Sequence, residues 1–511
     1  MAGLRNMRRA GLLLLALALW PGATLAQQPL RVVAPFHVES MEPSRDGFNF
    51  TRMGVAENLV GADDGGLPVP QLAEGWTLSE DRLTWRMTIR AGATFHDGSP
   101  VLAEAVAASL LRARSKPGPL ANAPLTSITA DGPRVVELRT STPFTPLLAF
   151  LAESSAQILA PASWDEAGGI RALIGTGPYR LVGFQPPFRF EVERFEGWNG
   201  GPRPAIARAI YESVPRGETR ALMAESGRAD LAFTLDPAGT DRLRRSPRVE
   251  VRVMPIPRTQ TIKLNAGLPI FADVRARQAV SLAIDRDGIA RGILRSPGAA
   301  ATQFFPPTLA EWHVAGLAPL RRDPAEARRL LAAAGWTAGP GGILTRDGHP
   351  FRFTLRTFST RPELPVVAAA IQESLREVGI DMQIAVGVSS DIPAGHRDGT
   401  LEAGLMARNF SQVPDPIGTL LADFGPQGGD WGAMGWTSPE LVERLAALGR
   451  TTDPAERAAL RQRASAILQA EMPVIPVAWY DLRVAISRRL ANVSVDPLEL
   501  SYRIAAMRWV E

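Results

Sequence analysis

The order of hydrophobic and polar residues after about position 27 predicts short strands that alternate with helices. Leu30 to Ala34 is a short apolar run, and Leu83 to Arg90 alternates apolar and polar residues with period two, as a half-buried strand does. Ala103 to Arg114 is predicted to form a helix. Strands and helices mixed along the whole chain, without a repeat of fixed period, indicate α/β domains.

Signals for the start of a helix are clearest in the second half of the chain. Asp323 and Asp453 are each followed by Pro-Ala-Glu, which predicts an N-cap aspartate, a proline in the first turn and a glutamate that completes a capping box. Gly335 is the predicted end of the first of these helices. Apolar residues at nearly helical spacing also predict a helix over Asp273 to Leu294.

Length and charge limit the kinds of protein that this chain can be. It has 511 residues, of which 45% are hydrophobic and 21% charged, and one hydrophobic core stops growing well below this size. We therefore expect two or three domains. The net charge is only +4, and the arginines are scattered among carboxylates without a basic run. This distribution lacks the electrostatic footprint of a nucleic-acid-binding protein.

The N-terminus predicts export from the cytoplasm. Three arginines among the first nine residues precede an apolar run from Ala10 to Trp20, and small residues follow at Thr24 to Ala26. Residues 1–26 are therefore predicted to be a cleavable signal peptide, because the apolar run is shorter than the about 20 residues that span a bilayer. Cysteine is absent, which removes disulfides, thiolate metal sites and a lipid-anchor cysteine. We expect a soluble, periplasmic mature protein.

Motifs that carry catalysis are missing. The sequence contains no phosphate-binding loop, no G-x-S-x-G nucleophile elbow and no H-E-x-x-H zinc helix. The histidines stand far apart, at His37, His96, His313, His349 and His396. We interpret them as structural residues, and His96 as part of the tight turn that Asp97-Gly98 predicts. No catalytic residue, cofactor or metal site is predicted.

A series of ordered phrases resembles one known family. The segment from Pro68 to Leu110 contains a proline-led LAE-x-W phrase, a strand, an FHDG-x-P turn and a helix start at Ala103. Further phrases follow in the family's order at Gly175–Tyr179 (GTGPY), Trp198–Gly201, Gly227–Asp230, Leu264–Asn265, Val274–Ala279, Ala283–Arg286, Asp323–Gly335 and Gly379–Asp381. Together they resemble the extracellular solute-binding proteins of the peptide/nickel class, family 5, of ABC importers.

The resemblance implies a two-lobed α/β periplasmic-binding-protein fold of cluster C type, with three domains. Domain I would comprise residues 27–60, 175–259 and 473–511, domain II residues 61–174, and domain III residues 260–472. A hinge would close the lobes around a small-molecule ligand. The monomeric protein would then deliver the ligand to an ABC permease and ATPase complex at the inner membrane.

Departures from the family's motifs bear on the ligand. In peptide-binding relatives, the first aspartate of a D-Y-x-D-P motif in the distal lobe pairs with the peptide's α-amine; here Gln412 stands at that position. Asp415 remains, and Pro416 after it predicts a helix N-cap. Phrases such as Ala301 to Phe305 look more like the nickel/metallophore branch, but Ser155 replaces the arginine that grips a chelate's carboxylates there. Peptide-like, opine-like and metal-chelate solutes stay open.

Family position and side-chain chemistry together give the candidate ligand contacts. The resemblance places Phe48, Asn49, Phe50 and Arg52 near the cleft rim of domain I, and Asn409, Gln412, Trp431 and Trp436 on or near the domain III side. Arg361, before a helix that begins near Pro362, is a candidate for binding a carboxylate. The alternatives are core packing for the tryptophans and a hydrated surface position for Arg361.

Two other functions share some of these features. An exported binding or chaperone-like protein of the same fold is one, because fold alone does not fix function. An exported hydrolase is the other, and it would need a nucleophile and base that the sequence does not show.

The charge argument predicts the effect of Gln412→Asp. If the ligand has no free α-amine, the new carboxylate is buried without a cationic partner, and we expect weaker binding in titration calorimetry. Tighter binding by the variant would instead indicate an ordinary peptide held by its ammonium group.

Overall fold

The computed structural model describes residues 28–426 and 428–510. The predicted signal peptide, residues 1–26, lies outside them. Of the helices in the described ranges, none has both the length and the apolar character to cross a membrane.

Most strands are short, and two long ones run through the middle of the structure. The strands are β1 (Leu30–Ala34), β2 (Val60–Ala62), β3 (Pro68–Pro70), β4 (Ala73–Leu78), β5 (Thr84–Ile89), β6 (Leu125–Asp131), β7 (Val135–Thr140), β8 (Tyr179–Gln185), β9 (Arg189–Arg194), β10 (Arg208–Ser213), β11 (Leu231–Phe233), β12 (Val249–Leu264), β13 (Thr337–Ala338), β14 (Leu344–Arg346), β15 (His349–Pro350), β16 (Arg352–Phe358), β17 (Asp381–Gly387), β18 (Ala403–Asn409), β19 (Val474–Ser487), β20 (Leu490–Ala491) and β21 (Arg508–Trp509).

The helices lie mainly between these strands and are longest near the C-terminus. They are α1 (Pro43–Arg52), α2 (Ala103–Arg114), α3 (Leu147–Leu151), α4 (Gly217–Ser226), α5 (Pro237–Leu243), α6 (Val274–Ala283), α7 (Arg286–Gly288), α8 (Pro324–Ala333), α9 (Leu364–Arg376), α10 (Asp391–Arg397), α11 (Pro416–Asp423), α12 (Pro439–Leu448) and α13 (Pro454–Glu471).

One ten-stranded sheet runs through both lobes. Its order is β17-β16-β18-β12-β19-β11-β1-β10-β9-β8. The strands from β11 to β8 form the base lobe, in which β1 lies parallel to both β10 and β11. The strands β16, β17 and β18 form the distal lobe, in which β16 lies parallel to its two neighbours. The central pair, β12 and β19, is antiparallel and belongs to both lobes.

A separate four-stranded sheet, of order β4-β5-β7-β6, is attached to the base lobe. In β5, Trp85, Met87 and Ile89 are buried while the residues between them are more exposed, which is the alternation that the sequence predicts. α2 packs on this sheet through Val106 and Leu110. We call this unit, with its helices up to residue 156, the small domain.

The distal lobe has two hydrophobic cores of its own. In the first, α6, α8 and α9 cover the sheet formed by β16, β17 and β18. In the second, α11, α12 and α13 pack around Phe305 and Phe410, which both have fully buried side chains. Because these cores are separate from the base lobe's core around Phe190 and Tyr211, each lobe can hold its shape when the other moves.

Several predicted elements are confirmed at the residue level. β1 and α2 have the predicted bounds. The Asp323 carboxylate accepts a hydrogen bond from the Glu326 backbone N–H at 2.9 Å, and Asp453 accepts one from Glu456 at 2.7 Å. Gly335, with φ of +86°, ends the α8 turn as predicted.

The single helix expected over Asp273 to Leu294 is wrong, because α6 ends at Ala283. Ile284 has φ −68° and ψ 124°, and a short helix and one wide helical turn follow it. The break brings the Arg286 guanidinium into the interior, where it donates to the Pro476 carbonyl (2.9 Å) and the Ser281 carbonyl (2.7 Å). Apolar spacing gives no sign of this buried arginine.

Removing the cap of α13 should weaken the distal lobe. Asp453→Ala deletes the side-chain acceptor of the Glu456 N–H, and we expect the free energy of unfolding in urea to fall by about 1 kcal/mol. Asp453→Asn retains an acceptor oxygen and is the matched control, with a smaller loss. Equal losses for the two variants would contradict the cap's role.

Candidate functional site

The two lobes are joined where β12 and β19 cross between them. The first part of β12 pairs with Tyr480 to Ser487 in the base lobe, and its last part pairs with β18 in the distal lobe. The pairing with β19 shifts register between Ile256 and Thr259, and again between Gln260 and Thr261. Bulges interrupt the ladder and let a strand bend locally. We call this segment, residues 256–261 with the facing part of β19, the hinge.

The lobes contact each other beside the hinge, and the distal lobe also contacts the small domain, so the structure is closed. Ser411 Oγ of the distal lobe donates to the Leu498 carbonyl of the base lobe at 3.1 Å. The small domain contributes the Thr145 backbone N–H, which donates to the Gly449 carbonyl of the distal lobe at 2.8 Å. Val413 of the distal lobe also packs into the small domain's core.

A cavity of about 400 Å³ lies between the base lobe and the small domain, beside these contacts. Ionic pairs hold its wall in place. Arg90 binds Glu57 through both of its terminal nitrogens, at 3.1 and 3.0 Å, and Arg503 pairs with Asp496 at 3.4 Å. Arg52, at the end of α1, lines the same cavity. The volume falls within the range of about 300–1,000 Å³ that is common for small-molecule sites.

Behind this cavity, charged side chains from both lobes meet at the hinge. Their members, which we call the hinge cluster, are Arg52, Arg258, Arg361, Glu363 and Glu499. Arg258 forms a buried ion pair with Glu499. Arg258 is 2% exposed, Arg52 5% and Arg361 8%, so water screens these charges poorly.

Aromatic rings separate the three guanidinium groups of the hinge cluster. The guanidinium carbon of Arg52 lies 5.1 Å from the centre of the Phe36 ring and 4.9 Å from that of Phe48. The guanidinium carbon of Arg361 lies 5.2 Å from the centre of the Tyr480 ring, and its Nη1 donates a hydrogen bond to the Tyr480 hydroxyl at 3.0 Å. Such contacts stabilise a cation by about 0.5–2 kcal/mol each, the more so when water is excluded.

The electrostatics of the hinge cluster favour charged Glu499. Burial by itself raises the pKa of Glu499, but the guanidiniums of Arg258, Arg52 and Arg361 outweigh it and hold that pKa below the ordinary value. Burial, together with the positive charge of Arg361, lowers the pKa of Arg258 to about 10. Arg258 stays charged at neutral pH, and Glu499 supplies the counter-charge that offsets part of the cost of burying it.

Comparison with known proteins identifies the family. The family described as bacterial extracellular solute-binding proteins, family 5 Middle, matches residues 68–431, which is more than half of the chain. The chain belongs to this family.

Relatives match along nearly the full length of this solute-binding protein. The nickel-binding periplasmic protein of Escherichia coli strain K12 is 27% identical over 514 residues, which cover 97% of each chain. The glutathione-binding protein GsiB of the same strain is 25% identical, covering 96% of this chain and 97% of the relative. The crystal structure of NikA from Brucella suis in complex with Fe(III)-EDTA matches with a TM-score of 0.84 at 25% identity, covering 94% and 100% of the two chains.

These findings confirm the predicted two-lobed, three-domain α/β fold and the nearness to the nickel/metallophore-like branch. They also confirm the predicted class of function. The chain is the substrate-binding protein of an ABC importer, and its family is not enzymatic.

Three of the predicted ligand contacts come together in the solute-binding protein. Phe48, Arg52 and Arg361 all lie at the hinge cluster, where the rings of Phe48 and Phe36 meet edge to face at 5.6 Å. Of these three, Arg52 lines the cavity directly. Arg361 is buried, not hydrated at a loop mouth.

Three other predicted ligand contacts, Phe50, Asn49 and Asn409, are buried or hydrogen-bonded within the protein. Phe50 is fully buried in the base lobe's core, 5.0 Å from the Phe190 ring, and Asn49 beside it is also fully buried. Asn409 uses its Oδ1 to accept hydrogen bonds from the backbone N–H and the hydroxyl of Ser411, at 2.8 Å each. It shapes the turn that carries Ser411 to Leu498.

The two predicted tryptophans pack on the distal lobe. Trp431 is half-buried against the first distal core, and Trp436 is half-buried against the second, edge-on to Phe424 at 6.4 Å. These contacts fit core packing, which is the alternative that the sequence offers for both tryptophans. As ligand contacts, both remain predictions.

Gln412 is exposed, while its neighbours Ser411 and Val413 are buried. A carboxylate at this position would be hydrated in the closed structure, so the burial on which the Gln412→Asp prediction depends is absent here. The prediction for Asp415 is confirmed, because its side chain accepts a hydrogen bond from the Ile417 N–H at 3.0 Å and caps α11.

Sequence reasoning missed Arg258, Glu499 and Tyr480. Arg258 lies among strand residues, and Glu499 follows it by more than 240 positions, so no spacing rule links them. The one local signal is the Pro-Ile-Pro run, Pro255 to Pro257, because proline inside a central strand argues for an interruption of the ladder.

His396 contacts Lys263, whose side chain is buried in the distal lobe. Lys263 Nζ lies 2.7 Å from His396 Nδ1 and donates to the Gly429 carbonyl at 2.7 Å. Burial lowers the pKa of Lys263 to about 7. In the described ranges, no three His, Asp or Glu side chains are grouped as metal ligands would be.

Removing the negative charge of Glu499 should destabilise the closed protein. Glu499→Gln leaves Arg258 buried without a counter-charge, and we expect a loss of about 3–5 kcal/mol in the free energy of unfolding at pH 7, measured in urea. Exposed Glu80→Gln is the matched control and should change stability by less than about 0.5 kcal/mol.

Wild type and Glu499→Gln together also test how the stability contributed by Glu499 depends on pH. The pKa of Glu499 is below its ordinary value of 4.5 in the folded state, so its contribution is complete above that value and is lost as the pH falls through the lowered pKa. The stability difference between wild type and Glu499→Gln should therefore shrink on acidification from pH 5. A constant difference would contradict the ion pair.

Proposed function

We propose that the mature protein works in the periplasm and captures a small solute by closing the distal lobe over the base lobe and the small domain. The observation that carries the proposal is the interruption of the β12–β19 ladder at 256–261, in the strands that join the lobes. A solute that contacts both sides lowers the free energy of the closed state relative to the open one. The closed protein then binds the permease and ATPase complex at the inner membrane.

The domain boundaries expected from the sequence are part of this proposal. The boundary between residues 259 and 260 falls between the two register shifts of β12, which supports it. The boundary at 473 precedes β19, whereas β19 leaves the distal lobe near Trp479 and Tyr480. The proposed limits at 60 and 174 enclose the small domain together with residues 157–174, of which Leu159 and Leu173 pack in the base lobe's core.

Relatives of known ligand support a small, polar solute. A nickel-binding protein, a glutathione-binding protein and a NikA bound to Fe(III)-EDTA are all similar to this chain over nearly its full length. We propose a peptide-like, opine-like or metal-chelate solute, for which the cavity of about 400 Å³ forms the base-lobe and small-domain side of the site.

Lobe closure can be measured with spin labels, because the native sequence has no cysteine. Leu102 of the small domain and Val366 of the distal lobe are both exposed. In Leu102→Cys/Val366→Cys, the distance distribution from double electron–electron resonance should shift to a single, shorter distance when the solute is added. The control pair Val366→Cys/Val388→Cys lies within the distal lobe and should not change. Unchanged distances in the first pair with bound solute would contradict closure.

A bound solute should also stabilise the monomeric protein. A ligand that binds only the native state adds about 2.7 kcal/mol at a concentration one hundred times Kd. We expect an upward shift of the unfolding temperature that increases with solute concentration, measured by calorimetry. A broad set of peptides, amino-acid conjugates and chelates that never shifts it would count against the receptor function.

A further inference from the structure

The distal lobe meets the small domain through an apolar contact that lies outside the cavity. Val413, in the turn before α11, is 5% exposed and packs in the small domain's core, whose other buried members all come from residues 59–160. Leu421 of α11 packs against both that core and the second distal core. Two apolar side chains of the distal lobe therefore contribute to the core of another unit.

Gly418 lets α11 approach the small domain closely. A Cβ atom at this position would lie 2.9 Å from Cε1 of Phe150 in α3, and 2.6 Å from Cγ1 of Val413. Phe150 is itself 2% exposed and packs edge-on to Phe144, with ring centres 5.1 Å apart. Because the ring is packed on its other side as well, a side chain at position 418 would push the two units apart.

Hydrogen bonds surround this apolar contact. The Thr145 hydroxyl donates to the Gly449 carbonyl at 3.2 Å and accepts a hydrogen bond from Nη1 of Arg457 at 3.3 Å. Arg82 of the small domain donates to the Arg450 carbonyl at 3.3 Å. Such groups bind water when a contact opens, so they favour the closed state less than the burial of apolar side chains does.

The contact between these two units is separate from the solute cavity. We call it the latch, and its residues are Phe144, Thr145 and Phe150 of the small domain with Val413, Gly418, Leu421 and Gly449 of the distal lobe. None of them is among the described residues that line the cavity. A solute in the cavity can therefore bind without touching the latch.

We propose that the small domain holds the distal lobe closed through the latch, so that part of the protein is closed before any solute binds. The inference rests on the hinge motion of the proposed function and gives the small domain a role in it. Opening the lobes exposes Val413 and Phe150 to water, which is unfavourable in proportion to their apolar area. The apparent affinity of a solute that binds the closed state is proportional to the closed fraction, so the latch raises the affinity for every such solute alike.

Spin labels measure the closed fraction without any solute. The pair Leu102→Cys/Val366→Cys reports the distance between the small domain and the distal lobe, and we expect both a short and a long distance. Adding Val413→Ala removes two methyl groups from the latch and should lower the ratio of short to long distances about tenfold. Adding Val280→Ala instead removes the same groups from the first distal core and should leave that ratio unchanged.

A substitution at Gly418 tests the close approach itself. With Val413→Ala making room inside the distal lobe, the methyl group of Gly418→Ala meets chiefly the Phe150 ring across the latch. The double variant should be more open than Val413→Ala alone, although alanine is the better helix former. Gly292→Ala, whose Cβ has no described atom within 4 Å, is the matched control and should change nothing. Circular dichroism would verify that each variant is folded.

Sodium sulfate distinguishes an apolar latch from an ionic one in the labelled chain without latch substitutions. Sulfate is excluded from protein surfaces and strengthens apolar burial, so the closed fraction should rise as it is added. Ionic contacts would be screened, and the closed fraction would fall. A fall or no change would overturn the apolar latch as the cause of closure.

The outcomes separate the latch from solute capture. If the latch variants behave like Val280→Ala, or if the chain without solute shows only the long distance, the latch is overturned; solute capture stands if a peptide, conjugate or chelate still shortens the distance. If the latch variants open the protein but no such compound shortens the distance or raises the unfolding temperature, the latch stands and solute capture fails. If nothing changes the distances, both proposals fail.

Discussion

The crossing of β12 and β19 between the lobes is the constraint on which the rest of the structure depends. Two adjacent antiparallel strands give each lobe a fixed edge, while the two register shifts at 256–261 remove the regular ladder where bending is needed. The lobes therefore share one sheet without sharing one core. Motion concentrates at the hinge because the packed cores on both sides resist deformation.

Buried charges from both lobes meet at the hinge. In the closed structure the arginines of the hinge cluster are almost shielded from water, and Glu499 and its neighbours supply their counter-charge. Replacing such a cluster by apolar residues often stabilises a protein, so its presence here is not explained by stability alone.

The distal lobe packs several of the side chains that the sequence offers as ligand contacts. Trp431 and Trp436 are half-buried against its two cores, and Asn409 accepts hydrogen bonds in the turn at Ser411, while their contact with a ligand stays a prediction. The contacts Ser411–Leu498 and Thr145–Gly449 then bring this lobe against the others. The Thr145–Gly449 contact joins two backbone groups and requires only the correct chain path, whereas the Ser411–Leu498 contact also requires the serine hydroxyl.

The sequence alone determined the local elements, the family and with it the class of function. Strand alternation in β5, the bounds of β1 and α2, and the caps at Asp323, Asp453 and Asp415 depend on neighbours a few residues away, and such interactions are readable from spacing. The break after α6 was not readable, because it depends on the tertiary burial of Arg286 against Pro476. The exposure of Gln412 and the assembly of the hinge cluster also depend on residues distant in sequence, so only the tertiary structure decided them. Arg52, Arg258, Arg361 and Glu499 are each more than 100 positions apart, and only the path of the folded chain brings their charges within reach of one another.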